Sequence, residues 1–304
     1  MLSAVAIRGL TPVATRYVVA TLSPALLLVL RFSIASLMLL PFALRLSWSR
    51  IRAQARLILV AGLLGVAGYN VPVTVGLQWA PSSTAGLILA SEPALILLFS
   101  WLIARESLPP FGWVGTAVSF SGVALLSTGA LTSDGPSGHR VVGLALVLAA
   151  AGFFAAYSVC LRPVSRSNGA AAATAVTTVA GALPLLLLVP AVRPDQLLHL
   201  NASSWTVVGL LAAGSTVVAM VLWSHGVFVM GAARASPYLY LVPLVSLAGG
   251  TILLGEHPAP TVLAGGALIL AGVALSHRGS RRRISSSSTA DTPEASALEG
   301  RPAR

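Results

Sequence analysis

Residues 82–103 read SSTAGLILASEPALILLFSWLI and contain one charged residue, Glu92, near their centre. The hydrocarbon core of a bilayer is about 30 Å thick, and about 20 apolar residues are needed for a helix to cross it. A carboxylate in the middle of such a helix is costly unless it faces a cavity or a partner. The stretch therefore predicts a membrane-spanning helix with either a functional or a paired acid inside the membrane.

The composition of the whole chain also indicates a membrane protein. Of its 304 residues, 56% are hydrophobic and 9% are charged, whereas a soluble domain carries about 25% charged residues. The net charge of +11 comes from arginines between apolar runs, not from one basic face, so nucleic acid is not expected as a partner. The single Cys160 excludes an intramolecular disulfide and any multi-cysteine metal site.

Apolar runs between Pro, Gly and Arg predict ten transmembrane helices. They cover residues 2–22, 24–44, 56–79, 82–103, 110–129, 141–161, 170–191, 204–228, 233–254 and 259–277. With a cytoplasmic N-terminus, twelve arginines fall on the cytoplasmic side and two, Arg140 and Arg193, fall outside. This bias places both chain termini in the cytoplasm and predicts a multi-pass protein of the cell (inner) membrane.

The two ends of the chain are less regular. Arg8 and Arg16 lie within the first predicted span, where they either snorkel to the interface or face a cavity, unless part of this helix lies upstream of the sequence. Residues 278–304 are rich in Arg and Ser and are predicted to form a disordered cytoplasmic tail.

An internal repeat appears when the chain is aligned with itself at an offset of 150 residues. Thirteen of the 50 positions from 76 to 125 are then identical, more than chance gives in a chain of this composition. Each half holds five predicted helices, so the second half enters the membrane from the opposite side. We therefore expect two inverted five-helix repeats, 1–129 and 141–277, joined by an extracytoplasmic linker, 130–140. The identical pairs include Pro93/Pro243, Glu106/Glu256, Gly115/Gly265 and Gly122/Gly272.

On these residues the chain resembles the EamA branch of the drug/metabolite transporter superfamily. The resemblance implies ten helices in two five-helix repeats and the transport of small metabolites. One departure is Arg8-Gly9, where the family usually has an aromatic residue before the glycine. The motifs behind the resemblance are Leu30-Arg31-Phe32 in the Pro24-to-Pro41 helix, Ser91-Glu92-Pro93 in the fourth span, and Glu106 and Glu256, each followed by Pro and a helix with Gly-x6-Gly.

Glu92 and Arg31 are the leading candidates for substrate binding or coupling. They lie at comparable depths, so they would hold the amine and the carboxylate of a zwitterion, or pair with each other as a structural salt bridge. Further polar or aromatic residues either line the site or hold helices together by hydrogen bonds. These are Tyr69, Asn70, Tyr238 and Tyr240.

Prolines and glycines mark where the helices bend and pack. Kinks are expected at Pro72, Pro93 and Pro243, with the cavity where Pro93 and Pro243 face each other. The Gly-x6-Gly faces favour close helix packing, either between the two halves or in a homodimer. Glu106 and Glu256 each precede a Pro-started helix and are predicted to cap it, with gating as the alternative.

The sequence contains no Gly-rich phosphate loop, paired-Cys site or His-Glu zinc motif, so no enzyme activity, cofactor or metal is expected. The leading hypothesis is a secondary transporter that exports amino acids or related small metabolites by alternating access. The alternative is proton-coupled efflux of cationic or lipophilic drugs, with Glu92 exchanging a proton for the cargo. An intramembrane enzyme or a scaffold would need a catalytic pair or a soluble module, and neither is visible.

Overall fold

Long apolar helices build this fold, because a segment surrounded by lipid has to satisfy its own backbone hydrogen bonds. The computed structural model describes residues 2–105, 110–131, 137–192, 196, 200–235, 238–239 and 241–288. Within these ranges six helices are long and apolar enough to cross a membrane: Pro24–Ala43, Ala55–Gly76, Ser82–Ile103, Gly138–Asn168, Ala170–Ala191 and Ala202–Met230. Three shorter apolar helices are Trp113–Leu125, Leu241–Leu254 and Pro260–Gly272. The chain is a multi-pass membrane protein.

The first half contains eight helices in the described ranges. The third predicted span is one continuous helix, in which a π-helical segment, Leu63–Gly68, separates α4 from α5. The fourth predicted span is broken into α6 and α7. The helices are α1 (Leu2–Val19), α2 (Pro24–Ala43), α3 (Trp48–Ala53), α4 (Ala55–Gly62), α5 (Tyr69–Gly76), α6 (Ser82–Leu89), α7 (Glu92–Ala104) and α8 (Pro110–Leu131).

The second half follows the same plan. A second π-helical segment, Leu211–Ala219, lies between α11 and α12, and a 3₁₀ helix, Leu183–Ala191, continues α10. The helices are α9 (Ser137–Asn168), α10 (Ala170–Ala182), α11 (Ala202–Leu210), α12 (Met220–Met230), α13 (Ala232–Ala235), α14 (Leu241–Leu254) and α15 (Pro260–Ser288).

The last helix is longer than the sequence analysis expects. A disordered tail is predicted from residue 278, but α15 continues to Ser288. Once a helix has formed, each further residue adds a hydrogen bond at little cost, and residues 278–288 contain no proline to stop it. The remainder of the predicted tail, residues 289–304, lies outside the described residues.

The two halves pack against each other through the predicted glycine faces of α8 and α15. A Cβ atom at Gly122 would lie 2.6 Å from the carbonyl oxygen of Gly265, and one at Gly272 would lie 2.5 Å from that of Gly115. The two contacts are equivalent under the repeat, because Gly122 corresponds to Gly272 and Gly115 corresponds to Gly265 at the 150-residue offset. Ser119 donates a hydrogen bond to the carbonyl oxygen of Ile269, 150 residues away, at 3.2 Å. The α8–α15 pair is therefore close to two-fold symmetric.

The glycine contact predicts a clear effect on stability. We expect Gly122→Leu to lower the apparent Tm of the purified protein in detergent, because the new side chain meets the backbone of α15. Overpacking of this kind costs about 1–3 kcal/mol. Gly152→Leu is the matched control, since a Cβ atom there meets nothing within 4 Å. Equal Tm values for the two variants would contradict the close α8–α15 packing.

Candidate functional site

Glu92 lies where the fourth predicted span is interrupted. Helix α6 ends at Leu89 and α7 begins at Glu92. Pro93 is the second residue of α7 and has no N–H to continue the hydrogen bonding of the preceding turn. The carboxylate of Glu92 is buried, with 1% of the residue exposed. The break thus places an acid among packed helices rather than in contact with lipid.

Arg8 of α1 is the partner of this acid. Its Nη2 atom donates to both oxygens of Glu92, at 3.1 Å to Oε1 and 2.9 Å to Oε2. The guanidinium carbon also lies 3.9 Å from the ring centroid of Phe154, in a cation–π contact. A buried charge is tolerated when it is paired and hydrogen-bonded in this way. The sequence leaves open whether Arg8 snorkels to the interface or faces a cavity; in the structure it is buried and lines a cavity.

Arg31 is not the counter-ion of Glu92, so the pairing considered in the sequence analysis is wrong. The reason is the helix arrangement: α1 contacts α6 as well as the second π segment, so Arg8 reaches Glu92, whereas Arg31 of α2 meets the second π segment. The Nε atom of Arg31 donates to Thr216 Oγ1 at 2.8 Å, and its Nη2 atom donates to Ser215 Oγ at 3.2 Å. Within the described ranges, no carboxylate lies within 4 Å of Arg31. Arg31 is therefore a buried cation held by hydroxyl groups.

Both π segments contribute to the walls of the site, and side chains satisfy backbone carbonyls that these segments leave free. Asn70 Nδ2 donates to the carbonyl oxygens of Gly65 and Val66, at 3.2 and 2.9 Å. Thr216 Oγ1 donates to the carbonyl oxygen of Leu211 at 3.2 Å. π-Helical turns are rare and occur often at functional sites. The amide group of Asn70 is thus engaged in stabilising its own helix.

Between these walls lies a small polar cavity of about 30 Å³, enough for about one water molecule. Arg8 and Arg31 both contribute to its surface. Since Glu92 neutralises only one of the two arginines, one positive charge is left over at the cavity. The lining residues are Arg8, Thr11, Arg31, Phe32, Gly65, Val66, Tyr69, Asn70, Thr178, Ser215, Thr216 and Met220.

The other predicted site residues lie in different places. Tyr69 lines the polar cavity, and its ring centroid is 5.6 Å from the guanidinium carbon of Arg8. Tyr238 is 37% exposed and lies in a short 3₁₀ stretch, residues 238–239. Tyr240 lies outside the described residues. Sequence reasoning did not identify Thr11, Ser215 or Thr216; the only available signal was a pair of adjacent hydroxyl residues inside an apolar span.

The sequence analysis expects the cavity between Pro93 and Pro243, but the structure places it elsewhere. Pro72 lies inside α5, just after the first π segment, and Pro243 is buried inside α14. Neither Pro93 nor Pro243 is among the described residues that line the cavity. The reason is that α14 packs its Pro243 end against α1, where a Cβ atom at Gly9 would lie 3.0 Å from the carbonyl oxygen of Val242.

Glu256 caps a helix, but not the one that follows it. Its carboxylate accepts hydrogen bonds from the backbone N–H groups of Ser82 and Ser83, both at 2.8 Å, and from Ser82 Oγ at 2.9 Å. These groups form the N-terminus of α6 in the other half. Partial burial raises the pKa of Glu256, but the hydrogen bonds outweigh it and hold the pKa below its ordinary value. Its repeat partner, Glu106, lies outside the described residues.

Arg16 closes the end of α5. Its Nη1 atom donates to the carbonyl oxygens of Leu77 and Gln78, at 2.5 and 2.6 Å. A cation at a helix C-terminus satisfies free carbonyls and interacts favourably with the helix dipole.

For metal ions, no group of three or more His, Cys, Asp or Glu residues comes together in the part of the chain that the structure describes.

Comparison with known proteins identifies the family. The sequence model of the EamA-like transporter family matches residues 1–128 and 141–278. The chain belongs to the EamA-like transporter family. It is a membrane transporter, and the family resemblance of its motifs is confirmed.

Relatives of this EamA-like transporter carry transporter names. A protein of Streptantibioticus cattleyicolor, named as a probable terminal-alkyne amino-acid exporter, is 31% identical over 261 residues, which cover 84% of this chain and 85% of that protein. An uncharacterized transporter of Archaeoglobus fulgidus is 27% identical over 270 residues, covering 87% and 92%. The uncharacterized inner membrane transporter YedA of Escherichia coli K12 is 29% identical over 239 residues, covering 77% of this chain and 74% of that protein.

A solved crystal structure shares the fold. It aligns with a TM-score of 0.63 at 24% sequence identity, covering 92% of this chain and 96% of the other. At this identity the likeness concerns the fold of the EamA-like transporter and carries no information on its substrate.

The buried ion pair predicts a characteristic pattern of stability. Arg8→Met is expected to lower the apparent Tm strongly, because it leaves Glu92 buried without its partner, a loss worth about 3–5 kcal/mol. Glu92→Gln should behave in the same way. The double variant, which removes both charges, should be more stable than either single variant. Thermal unfolding of the four purified proteins measures this, and additive losses would show that the two residues are not coupled.

The contact of Glu256 predicts a dependence on pH. Because folding lowers the pKa of Glu256, its stabilising effect is complete above the ordinary glutamate pKa of about 4.3 and is lost as the pH falls through the lower, folded-state value. We therefore expect Glu256→Gln to lower the Tm at pH 7 and to have a shrinking effect below pH of about 4. Tm measurements of both proteins across this range provide the check. A constant difference between them would contradict it.

Proposed function

We propose that this protein is a secondary transporter of the cell (inner) membrane that exports amino acids or related small metabolites by alternating access. The observation that carries the proposal is the polar cavity between the two π segments, with its buried cation Arg31 held by Ser215 and Thr216. A charged group inside an otherwise apolar bundle is a costly feature, which is ordinarily retained for function.

The proposed topology has ten spans in two inverted five-helix repeats, with both termini in the cytoplasm. The near two-fold contacts of α8 with α15 support two related halves. The excess of arginines in the predicted cytoplasmic loops supports the orientation. In such an arrangement the halves rock around a shared central site. The cavity admits about one water molecule, so substrate entry requires the surrounding helices to move apart.

The proposed substrate class is supported from two sides. The relative of Streptantibioticus cattleyicolor is named as a probable exporter of an amino acid. The guanidinium group of Arg31 has the donors that a carboxylate accepts in a bidentate manner. Transport in this chain would be driven by gradients, because its sequence has no nucleotide-binding motif.

Efflux of cationic or lipophilic drugs remains the second candidate, and the charges near the cavity argue against its cationic form. Two arginines and one carboxylate leave a net positive charge, which repels a cation. Glu92, the acid proposed to exchange a proton for such a cargo, is held by two hydrogen bonds from Arg8.

Flux into proteoliposomes tests the proposal. A panel of radiolabelled amino acids should include at least one that is transported by the wild type. Arg31→Gln should raise the KM of that substrate about tenfold or more, because the lost charge-assisted hydrogen bonds are worth about 1.5–3 kcal/mol. Arg50→Gln, which removes an exposed arginine of α3, is the matched control. Absence of flux for every amino acid would refute the proposed substrate class.

A further inference from the structure

A second, larger cavity lies on the other side of α1. Its volume is about 600 Å³, and it is bounded by α1, by α11 with the second π segment, and by the end of α14. Several residues at its surface are well exposed, including Leu10 at 44% and Leu210 at 64%, so it is open towards the outside of the bundle. We call it the apolar chamber, since its walls include Ile7, Leu10, Val13, Ala14, Leu211 and Leu254.

The apolar chamber and the polar cavity share two residues. Thr11 and Ser215 line both spaces, and their hydroxyl groups are hydrogen-bonded to each other at 2.7 Å. This pair of small side chains forms the partition. Ser215 belongs to the second π segment, where the helix is already irregular. At this point the two spaces are therefore separated by two small hydroxyl side chains rather than by large apolar ones.

The charged groups at the polar cavity favour binding of an anion over binding of an ammonium group. Arg31 donates to neutral hydroxyls, one of which is the partition residue Ser215. The carboxylate of Glu92 is buried and bound by Arg8. A ligand carboxylate on Arg31 would neutralise the remaining charge, whereas a ligand ammonium group would have to displace Arg8 from its acid.

We propose that the substrate is a small carboxylate with an apolar chain, whose head binds Arg31 and whose chain passes the Thr11–Ser215 partition into the apolar chamber. An α-amino group is tolerated but is not required. This inference rests on the proposed transport function and narrows its substrate class.

Three probes with the same branched chain separate the two head groups. They are leucine, 4-methylpentanoate, which lacks the amine, and 3-methylbutylamine, which lacks the carboxylate. Binding is measured by ligand-induced thermal stabilisation of the full chain in lipid nanodiscs. We expect leucine and the acid to bind with dissociation constants within about tenfold of each other, and the amine to bind about a hundredfold more weakly. Binding of the amine in preference to the acid would overturn the inference.

The apolar chamber is tested by chain length. From acetate to hexanoate, each added methylene should tighten binding about fourfold. Gly214→Leu should abolish this gain, because a Cβ atom at Gly214 points towards Ile7 at 3.6 Å and a larger side chain would fill the chamber. Gly209→Leu in the same span is the matched control, since nothing lies within 4 Å of its Cβ position. A flat series in the wild type would overturn this part of the inference.

These outcomes differ from those of the proposed function. Amino-acid flux in proteoliposomes together with no binding of 4-methylpentanoate would overturn the inference and leave the transporter proposal standing. The absence of both flux and binding would overturn the two together. The double variant Arg31→Gln/Gly214→Leu serves as the background, because chain-length effects that persist without both the head contact and the chamber report adsorption to the lipid.

Discussion

The ion pair between Arg8 and Glu92 is the interaction on which this structure depends most. A carboxylate in the middle of an apolar span has to be neutralised, and the chain does this with an arginine from another helix, at 2.9 Å. The pair fixes α1 against the break between α6 and α7. It also decides the chemistry of the site: because Glu92 binds Arg8, Arg31 has no carboxylate partner among the described residues, and its charge is available for a ligand.

The site is asymmetric although the frame around it is nearly symmetric. The glycine contacts of α8 and α15 exchange under the 150-residue offset, and both halves carry a π segment that lines the cavity. The buried acid, in contrast, is not repeated in the second half: Glu92 aligns with Val242, although the neighbouring Pro93 aligns with Pro243. The repeat therefore preserves the features that let helices bend and pack. The buried charged groups, Arg8, Arg31 and Glu92, belong to the first half, whereas the second half supplies the hydroxyl partners of Arg31, Ser215 and Thr216.

The sequence was sufficient to predict the class of fold and part of the helix packing. Hydropathy and the Gly-x6-Gly faces predicted apolar spans and close packing of the glycine helices, because these depend on local composition and spacing. The sequence left open whether these helices pack between the two halves or in a homodimer, and the structure shows the contact between the halves, α8 with α15. The partner of Glu92 could not be predicted in this way, since it depends on which helix lies beside the break, and Arg31 was a chemically equal choice. The π segments were also missed. A π turn contains an extra residue, and the carbonyl oxygens that it leaves free accept hydrogen bonds from side chains such as Asn70 and Thr216. A single turn of this kind leaves no periodic pattern in the sequence.

In the proposed transport cycle, the polar cavity is exposed alternately to the two sides of the membrane. Val66 lines this cavity and is 4% exposed. The chain has one cysteine, Cys160, so a Cys160→Ser background allows Val66→Cys to be labelled alone. We expect a membrane-impermeant thiol reagent to reach this cysteine from either side of oriented vesicles, with an added substrate shifting the ratio of the two rates. Labelling from one side only, unchanged by any substrate that the protein transports, would contradict the account.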